Sequence, residues 1–419
     1  MMDVRTKYAG AMINEEDLEI AKAVHEFVDK EIMPRRLDLD GGWHHDEKLA
    51  RDTFDKLHKG LVDLGAQRAF FPEKYGGLGL RSTAAQMMLL EEIARGDLGL
   101  SLHLGVIYWV LGPAFMARRS NLLDQFLPKI CDDKPHACCM ALTEPEGGVN
   151  VEDPAQHGRA IATRAELDGD EYVINGEKIW PSCSGIADIT YLTLCTTDPK
   201  KGDEGIALIY VPPDVDGLSF GKPLEKMGFC WSDINTEIFF DNVRVPKENR
   251  VAGPGKDAQI LHNSIAGGRV GSASYAVGGA QACLEEVIEY TKDREIVGKP
   301  VRERSLHAGM IGEMVMAIDA ARAYYLQAAY MIDSRAYGRP GEPLMLSKTT
   351  GAKVFSCDIA VLVTNKAMEL MGAYGYSPEF NIEKYLRDVK MIQLWEGGAQ
   401  LGRLDVTRGY YPFEWAPGR

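Results

Sequence analysis

Apolar residues recur every three or four positions through the first third of the chain, where Leu18, Ala21, Val24, Val28 and Ile32 fall on one helical face. Asn14 offers an N-cap, and Glu15, Glu16 and Asp17 suit the positive end of that helix. Pro34 stops the run. A turn-rich segment over 72–79 leads to further helices around 84–95 and 101–117. From about residue 137 the pattern shortens to strands. Tyr172-Val173-Ile174 and Glu177-Lys178-Ile179-Trp180 flank Asn175-Gly176, which predicts a hairpin closed by a type I′ turn. Segments 189–195 and 205–211, rich in β-branched and aromatic residues, read as buried strands. No strand alternates with a helix here, which argues against a parallel doubly wound sheet and for a small antiparallel barrel or sandwich. Beyond about 251 the helical period returns. Met310, Met314, Ile318 and Tyr325 mark one long stripe, and Val354, Cys357, Val361 and Met368 another, as in a helix bundle. The expected fold class is multidomain α+β, with an N-terminal helical domain over 1–136, a central antiparallel β-barrel or sandwich over 137–250 and a C-terminal helical bundle over 251–419. Residues 410–419 read as an extended arm.

Composition narrows the function classes. Of 419 residues, 45% are hydrophobic and 26% charged, which excludes a disordered chain. The net charge of −14 makes nucleic acid a poor partner, since phosphates demand cations. A local basic pocket or a helix N-terminus can still hold a small anion. The N-terminus lacks the layout of a secretion signal, and no apolar run approaches the roughly 18 residues of a membrane span, so a cytoplasmic protein without a membrane span is expected. The eight cysteines include no C-x-x-C pair and read as reduced and buried. With no HExxH motif and nine scattered histidines, no metal centre is expected. Nor is there a P-loop, a GxSxG or a GxGxxG that follows a strand.

Four segments could carry chemistry, and each has a plainer reading. Ala141-Leu142-Thr143-Glu144-Pro145-Glu146-Gly147-Gly148 can present backbone N–H groups to a ligand or be an ordinary polar turn. Trp180-Pro181-Ser182-Cys183-Ser184-Gly185 suits a planar heterocycle, or is a core Trp followed by a turn. Arg294-Glu295-Ile296-Val297-Gly298-Lys299-Pro300 can clamp a phosphate or end a helix with cations that complement its dipole. Trp395-Glu396-Gly397-Gly398 sets a carboxylate after an apolar stretch. Desolvation there would raise the Glu396 pKa and make it a base, whereas most lone glutamates are surface or capping groups.

In this order, and together with Glu91-Glu92-Ile93-Ala94-Arg95 and Tyr385-Leu386-Arg387-Asp388, the chain resembles the acyl-CoA dehydrogenase family from about residue 15 to 408. The resemblance implies an N-terminal helical domain, a β-domain and a C-terminal four-helix bundle, with FAD held between the last two and completed by a neighbouring subunit of a homotetramer or dimer. It implies that Leu142 and Thr143 lie by the flavin pyrimidine edge and that Trp180 flanks the ring. Ser182 would bond near N5, and Arg294 would reach the pyrophosphate of the partner's FAD. Gly372, Tyr374 and Gly375 match the glycine loop near that dinucleotide. Arg269 and Gly397 fall on the acyl-CoA side, and Glu396 matches the base that removes the α-proton. The partners implied are an acyl-CoA substrate and an electron-transfer flavoprotein. In such a reaction a carboxylate takes the C2 proton while donors at the thioester carbonyl stabilise the enolate.

The chain departs from the family at several places. The loop ending Gly147-Gly148-Val149-Asn150 is altered, and 151–159 is longer than usual, which bears on the CoA contacts. Val297 replaces an aromatic, Ser305 and Glu369 replace glutamines, Gly398 replaces a Thr, and Trp395 replaces a Tyr. Ser101 stands where glutaryl-type members carry an arginine, so a dicarboxylate substrate is not supported. Asp97 lies where some alicyclic members place an aspartate base, although those lose the glutamate kept here. Trp395 and the altered loop point to a branched, cyclic or aryl-substituted acyl group. The competing readings are an oxidase or desulfinase on the same fold and a degenerate acyl-CoA-binding protein.

Overall fold

Asn14 caps the first long helix, its Oδ1 accepting from the Asp17 N–H at 2.8 Å. In the computed structural model, which describes residues 3–9, 11, 13–147 and 156–411, the N-terminal helices are α1 (Val4–Lys7), α2 (Glu15–Phe27), α3 (Arg36–Leu39), α4 (Glu47–Asp63), α5 (Thr83–Gly96), α6 (Leu98–Met116) and α7 (Ser120–Ile130). A π-turn over Val28–Ile32 extends α2 as far as Pro34, so Ala21, Val24, Val28 and Ile32 all stay buried. The expectation about apolar runs fails at α6. Its 19 residues are long and apolar enough to cross a membrane, but 78% of its most apolar window is buried inside the protein. It is the interior helix of the core.

The strands are β1 (Cys138–Ala141), β2 (Arg164–Asp168), β3 (Glu171–Ser182), β4 (Thr190–Thr196), β5 (Ile206–Val211), β6 (Leu218–Phe220) and β7 (Asn235–Pro246). They form a curled sheet in the order β1-β4-β2-β3-β7-β6, with β5 also on β4. Pairing is antiparallel except where β1 and β2 meet β4. Alternation explains the apolar strands. Leu192, Leu194, Leu208 and Tyr210 face the helical core, while Tyr191, Cys195, Ile209 and Val211 face the core inside the curl. The predicted hairpin does not form: residues 172–174 and 177–180 both belong to the single strand β3. β2 and β3 turn at Gly169, and Asn175-Gly176 is a bulge within β3. A Cβ on Gly176 would lie 2.7 Å from the Thr163 Cα, so close backbone approach is what demands glycine there.

Two short strands, β8 (Glu295–Ile296) and β9 (Lys299–Pro300), follow α8 (Lys256–Asp293). The chain ends in α9 (Ser305–Ser334), α10 (Pro343–Met371), α11 (Ile382–Leu394) and α12 (Gly398–Arg408). Small residues in α8 let its neighbours approach: a Cβ on Gly278 would meet the Glu91 carbonyl at 2.6 Å. Buried ions fix α5 between the two helical regions. Glu91 binds Arg322 of α9 at 2.9 Å, and Arg95 binds Glu285 of α8 at 2.9 Å. Glu92 receives Lys7 at 2.5 Å and His25 at 2.7 Å. Burial would raise the Glu92 carboxyl, but Lys7, His25 and Arg95 hold it well below the usual carboxylate range. All eight cysteines are free and seven are buried, as expected. Of the expected C-terminal arm, residues 412–419 lie outside the described residues.

His136 ties the end of the helical region to the sheet, contacting Asp188 at 2.6 Å and Asp132 at 3.1 Å. The hydrogen bond to Asp188 lifts the imidazole above its ordinary value. A raised folded pKa stabilises fully below the unfolded value of about 6.5 and is lost as pH rises through the folded pKa. Thermal melts of His136→Asn should therefore show a larger loss against wild type at pH 6 than at pH 9; an equal loss at both would remove the charge from the account.

Candidate active site

Two of the candidate segments are one unit. Lys178 of β3 is buried and donates to Glu144 at 2.8 Å and to the Leu142 carbonyl at 2.9 Å. Glu144 also accepts from the Ala162 and Thr163 N–H groups at 2.7 and 2.9 Å. Burial would raise its carboxyl, but Lys178 and these N–H groups hold it below the ordinary value. The loop after β1 is thereby pinned, with the Thr143 carbonyl accepting from the Ile179 N–H at 3.0 Å. β3 then breaks register between Ile179 and Ser182, and Trp180 takes a left-handed φ of 72°. The bulge turns the Trp180 ring outward, 49% exposed. Ser182 donates to Asp233 at 3.3 Å, and Asp233 is paired with Lys226 at 3.1 Å.

The facing wall is α8 with the turn between α11 and α12. Glu396, Gly397 and Gly398 have successive φ values of 52°, 86° and 65°. Left-handed backbone at 398 disfavours a β-branched residue, which accounts for the glycine where the family has Thr. Ser272 donates to Glu396 Oε2 at 2.7 Å and accepts from the Trp395 indole N–H at 2.8 Å. Lys353 donates to the Trp395 carbonyl at 2.8 Å, and Arg269 to the Glu396 carbonyl at 3.3 Å. A Cβ on Gly268 would lie 2.7 Å from Glu396 Oε1, so glycine leaves room for the carboxylate.

These walls enclose a cavity of about 910 Å³, which Leu142, Thr143, Trp180, Ser182, Glu396 and Gly397 all line. Arg269 does not. It is buried beneath the site, bound to Asp405 and Thr350 at 2.6 Å each, and the expected contact with substrate gives way to support of the Glu396 turn. Arg294, Gly372, Tyr374 and Gly375 gather elsewhere, with the Arg294 guanidinium 5.6 Å from the Tyr374 ring centroid. None of the four lines the cavity. Asp97 is also outside it. It caps α6 through the Leu100 N–H at 2.8 Å and is paired with Lys384 at 2.7 Å, so among the described residues Glu396 and Asp233 are the carboxylates on the cavity wall. Ser101 is buried, donating to the Leu90 carbonyl at 2.7 Å. Residues 148–155, where most of the altered loop falls, lie outside the described residues. Sequence reasoning missed Tyr108 and Trp109, in an apolar stretch of α6, and Tyr275, among small residues of α8; all three line the cavity and none carries a local signal.

Sequence profiles of the N-terminal, middle and C-terminal domains of acyl-CoA dehydrogenase match residues 14–134, 139–243 and 258–411. The chain belongs to the acyl-CoA dehydrogenase family. It is 31% identical over 394 residues to a short-chain-specific acyl-CoA dehydrogenase of Megasphaera elsdenii, covering 93% of this chain and 96% of the relative. It is 33% identical to a cyclohex-1-ene-1-carbonyl-CoA dehydrogenase of Syntrophus aciditrophicus, covering 94% of this chain and 90% of that one. The solved structure of butyryl-CoA dehydrogenase from Megasphaera elsdenii superposes with a TM-score of 0.78 at 28% identity, over 94% of this chain and 98% of the other.

Acyl-CoA dehydrogenases are FAD-dependent oxidoreductases. The cavity fits such a group. Its wall carries the Thr143 and Ser182 hydroxyls, the half-exposed Trp180 ring and a buried acceptor, Asp233 Oδ1, with no hydrogen-bond partner among the described residues. Ser272, itself on the cavity wall, donates to the Glu396 carboxylate. Ser272→Ala removes one hydrogen bond to a charged group, worth about 1.5–3 kcal/mol. It should lower kcat roughly 10- to 100-fold with flavin absorbance unchanged, which stopped-flow reduction would read; an unchanged kcat would mean that the carboxylate needs no such support.

Proposed function

We propose that this acyl-CoA dehydrogenase converts a branched, cyclic or aryl-substituted acyl-CoA to its 2,3-enoyl-CoA and passes the electrons to an electron-transfer flavoprotein. One observation carries the reading. Glu396 lines the cavity shared by Thr143, Trp180 and Ser182, with Ser272 donating to its carboxylate. Glu396 takes the C2 proton. The chemistry that bound FAD supplies is acceptance of the C3 hydrogen with its electron pair, which leaves a C2–C3 double bond. Leu142, Thr143, Trp180 and Ser182 hold and orient the flavin, and Gly397 gives the thioester room beside the base. Phe70, Tyr108, Trp109, Tyr275 and Trp395 supply flat apolar walls that exclude water and suit a bulky acyl group. Similarity to an enzyme named for a cyclohexene-carbonyl thioester supports a cyclic substrate.

Glu396→Gln should keep the flavin bound and lose at least about 10²-fold in turnover. Anaerobic bleaching of the flavin across a panel of acyl-CoA thioesters reads both substrate choice and this loss, and full activity in the variant would move the base elsewhere. Reoxidation by oxygen as fast as by an artificial one-electron acceptor would instead mark an oxidase.

The functional unit in this proposal is a homodimer or homotetramer, in which exposed Arg294, with Gly372, Tyr374 and Gly375, addresses the FAD of the neighbouring subunit. Arg294→Ala should then lower flavin occupancy after gel filtration while the far-ultraviolet circular dichroism stays that of the folded chain; unchanged occupancy would refute that role.

A further inference from the structure

The structure brings together three side chains that lie far apart in sequence and outside the cavity just described. They are His157, Asp203 and His262. One nitrogen of each imidazole and one carboxylate oxygen lie within 4.8 Å of one another. His157 Nδ1 is 3.5 Å from Asp203 Oδ1, and the two imidazole rings meet edge to face with centroids 4.8 Å apart. We propose that these residues form a site for a divalent transition metal of the Zn²⁺ class.

Three features carry the proposal beyond proximity. First, the backbone under two of the groups is fixed. Gly158 and Gly202 both take left-handed φ values, 67° and 56°, and a Cβ on Gly158 would lie 2.2 Å from the Gly202 carbonyl oxygen. Only glycine permits this approach, and it sets the neighbours His157 and Asp203 face to face. Second, His262 Nε2 is buried with no hydrogen-bond partner among the described residues, an arrangement that costs free energy unless something binds there. Third, Asp203 and His262 line a separate recess of about 210 Å³ together with Glu342 and Arg339. Two carboxylates against one guanidinium give that recess a net negative charge, which favours a cation. Two imidazoles and one carboxylate select Zn²⁺ and its neighbours over Mg²⁺ or Ca²⁺, which prefer oxygen ligands, and water completes the shell.

Such a metal would join three parts of the chain, the turn at 157, the segment before β5 and the second turn of α8. Asn263, next to His262, lines both this recess and the main cavity, and it accepts from the Gly341 N–H at 2.8 Å. The metal would therefore brace one rim of the cavity and take no part in the redox step.

The test uses the FAD-loaded chain, stripped with a chelator and titrated with Zn²⁺ against a chromophoric competitor. Wild type should bind one Zn²⁺ per chain, and Zn²⁺ should raise its melting temperature. His157→Ala and His262→Ala should each weaken binding at least about tenfold with the flavin spectrum unchanged. Asp203→Asn, at an exposed position, keeps the test valid if a histidine variant fails to fold, and its melting temperature should not respond to Zn²⁺. Co²⁺ in place of Zn²⁺ should give a visible band that the variants lose. Binding well below one equivalent, or equal affinity in wild type and variants, would overturn the proposal.

Discussion

Two buried cations hold the carbonyl groups of the candidate catalytic turn, and the rest of the site depends on that. Lys353 and Arg269 donate to the Trp395 and Glu396 carbonyls beyond the end of α11, where the Trp395 carbonyl also accepts from the Gly398 N–H at 3.0 Å. The Glu396 carbonyl, one residue past the C-cap of α11, is held by the Arg269 guanidinium. Arg269 is itself held by Asp405 of α12, the helix that the turn introduces. The turn is thus clamped from α8, α10 and α12 at once, and Glu396 is left to face the cavity.

The same logic operates at larger scale along α5. Its acidic and basic residues are almost wholly buried, and each has a partner on another element, so α5 acts as a polar rivet between the N-terminal helices and the bundle. Removing one partner from such a pair leaves a buried charge uncompensated, which costs about 3–5 kcal/mol. The network extends to α11, where Tyr385 donates to the Arg95 carbonyl at 2.7 Å and Lys384 joins Asp97 to Asp388 at 2.7 Å each. Burial among carboxylates lifts Asp388 to about 6 despite Lys384. Position and spacing of α6, α8 and α11 around the cavity follow from this frame.

Much of the architecture was legible because periodicity reports burial directly. The α2 stripe, the long helices of the bundle and strands β4 and β5 all follow from residues whose apolar faces are local in sequence. The motif residues Leu142, Thr143, Trp180, Ser182, Glu396 and Gly397 were legible through resemblance, and they share one wall or the other of the cavity. What failed to read through was set by contacts between distant segments. Asn175-Gly176 has the composition of a hairpin turn, yet packing against Thr163 makes it a bulge. Arg269 carries a charge that looks available until Asp405 appears beside it. Asp97 resembles a possible base until Lys384 and the α6 N-terminus claim both oxygens. Tyr108 and Trp109 lie in a stretch of α6 so uniformly apolar that no local pattern separates a cavity wall from a core, and Tyr275 lies among small residues of α8 that say as little.

Of the ten non-glycine residues with left-handed φ among the described residues, four sit at or beside the candidate site. Trp180 and Glu396 face the cavity, Cys183 follows Ser182, and Phe229 stacks on Trp395 at 6.0 Å; all four are non-glycine residues with left-handed φ. Each such conformation costs about 1–2 kcal/mol and persists only when its surroundings over-determine it. Those surroundings are visible. Asn235 donates to the Trp180 carbonyl at 2.7 Å, the Phe229 N–H donates to Asp388 at 3.1 Å, and Cys183 sits against His103 at 3.4 Å. Glycine at 396 would relieve the strain, as it does at Gly397 and Gly398 in the same turn. A side chain is nevertheless kept at the one position of the three whose carboxylate reaches Ser272. Under the proposed function that carboxylate is the base, and it is the side chain that this strained position presents to the cavity.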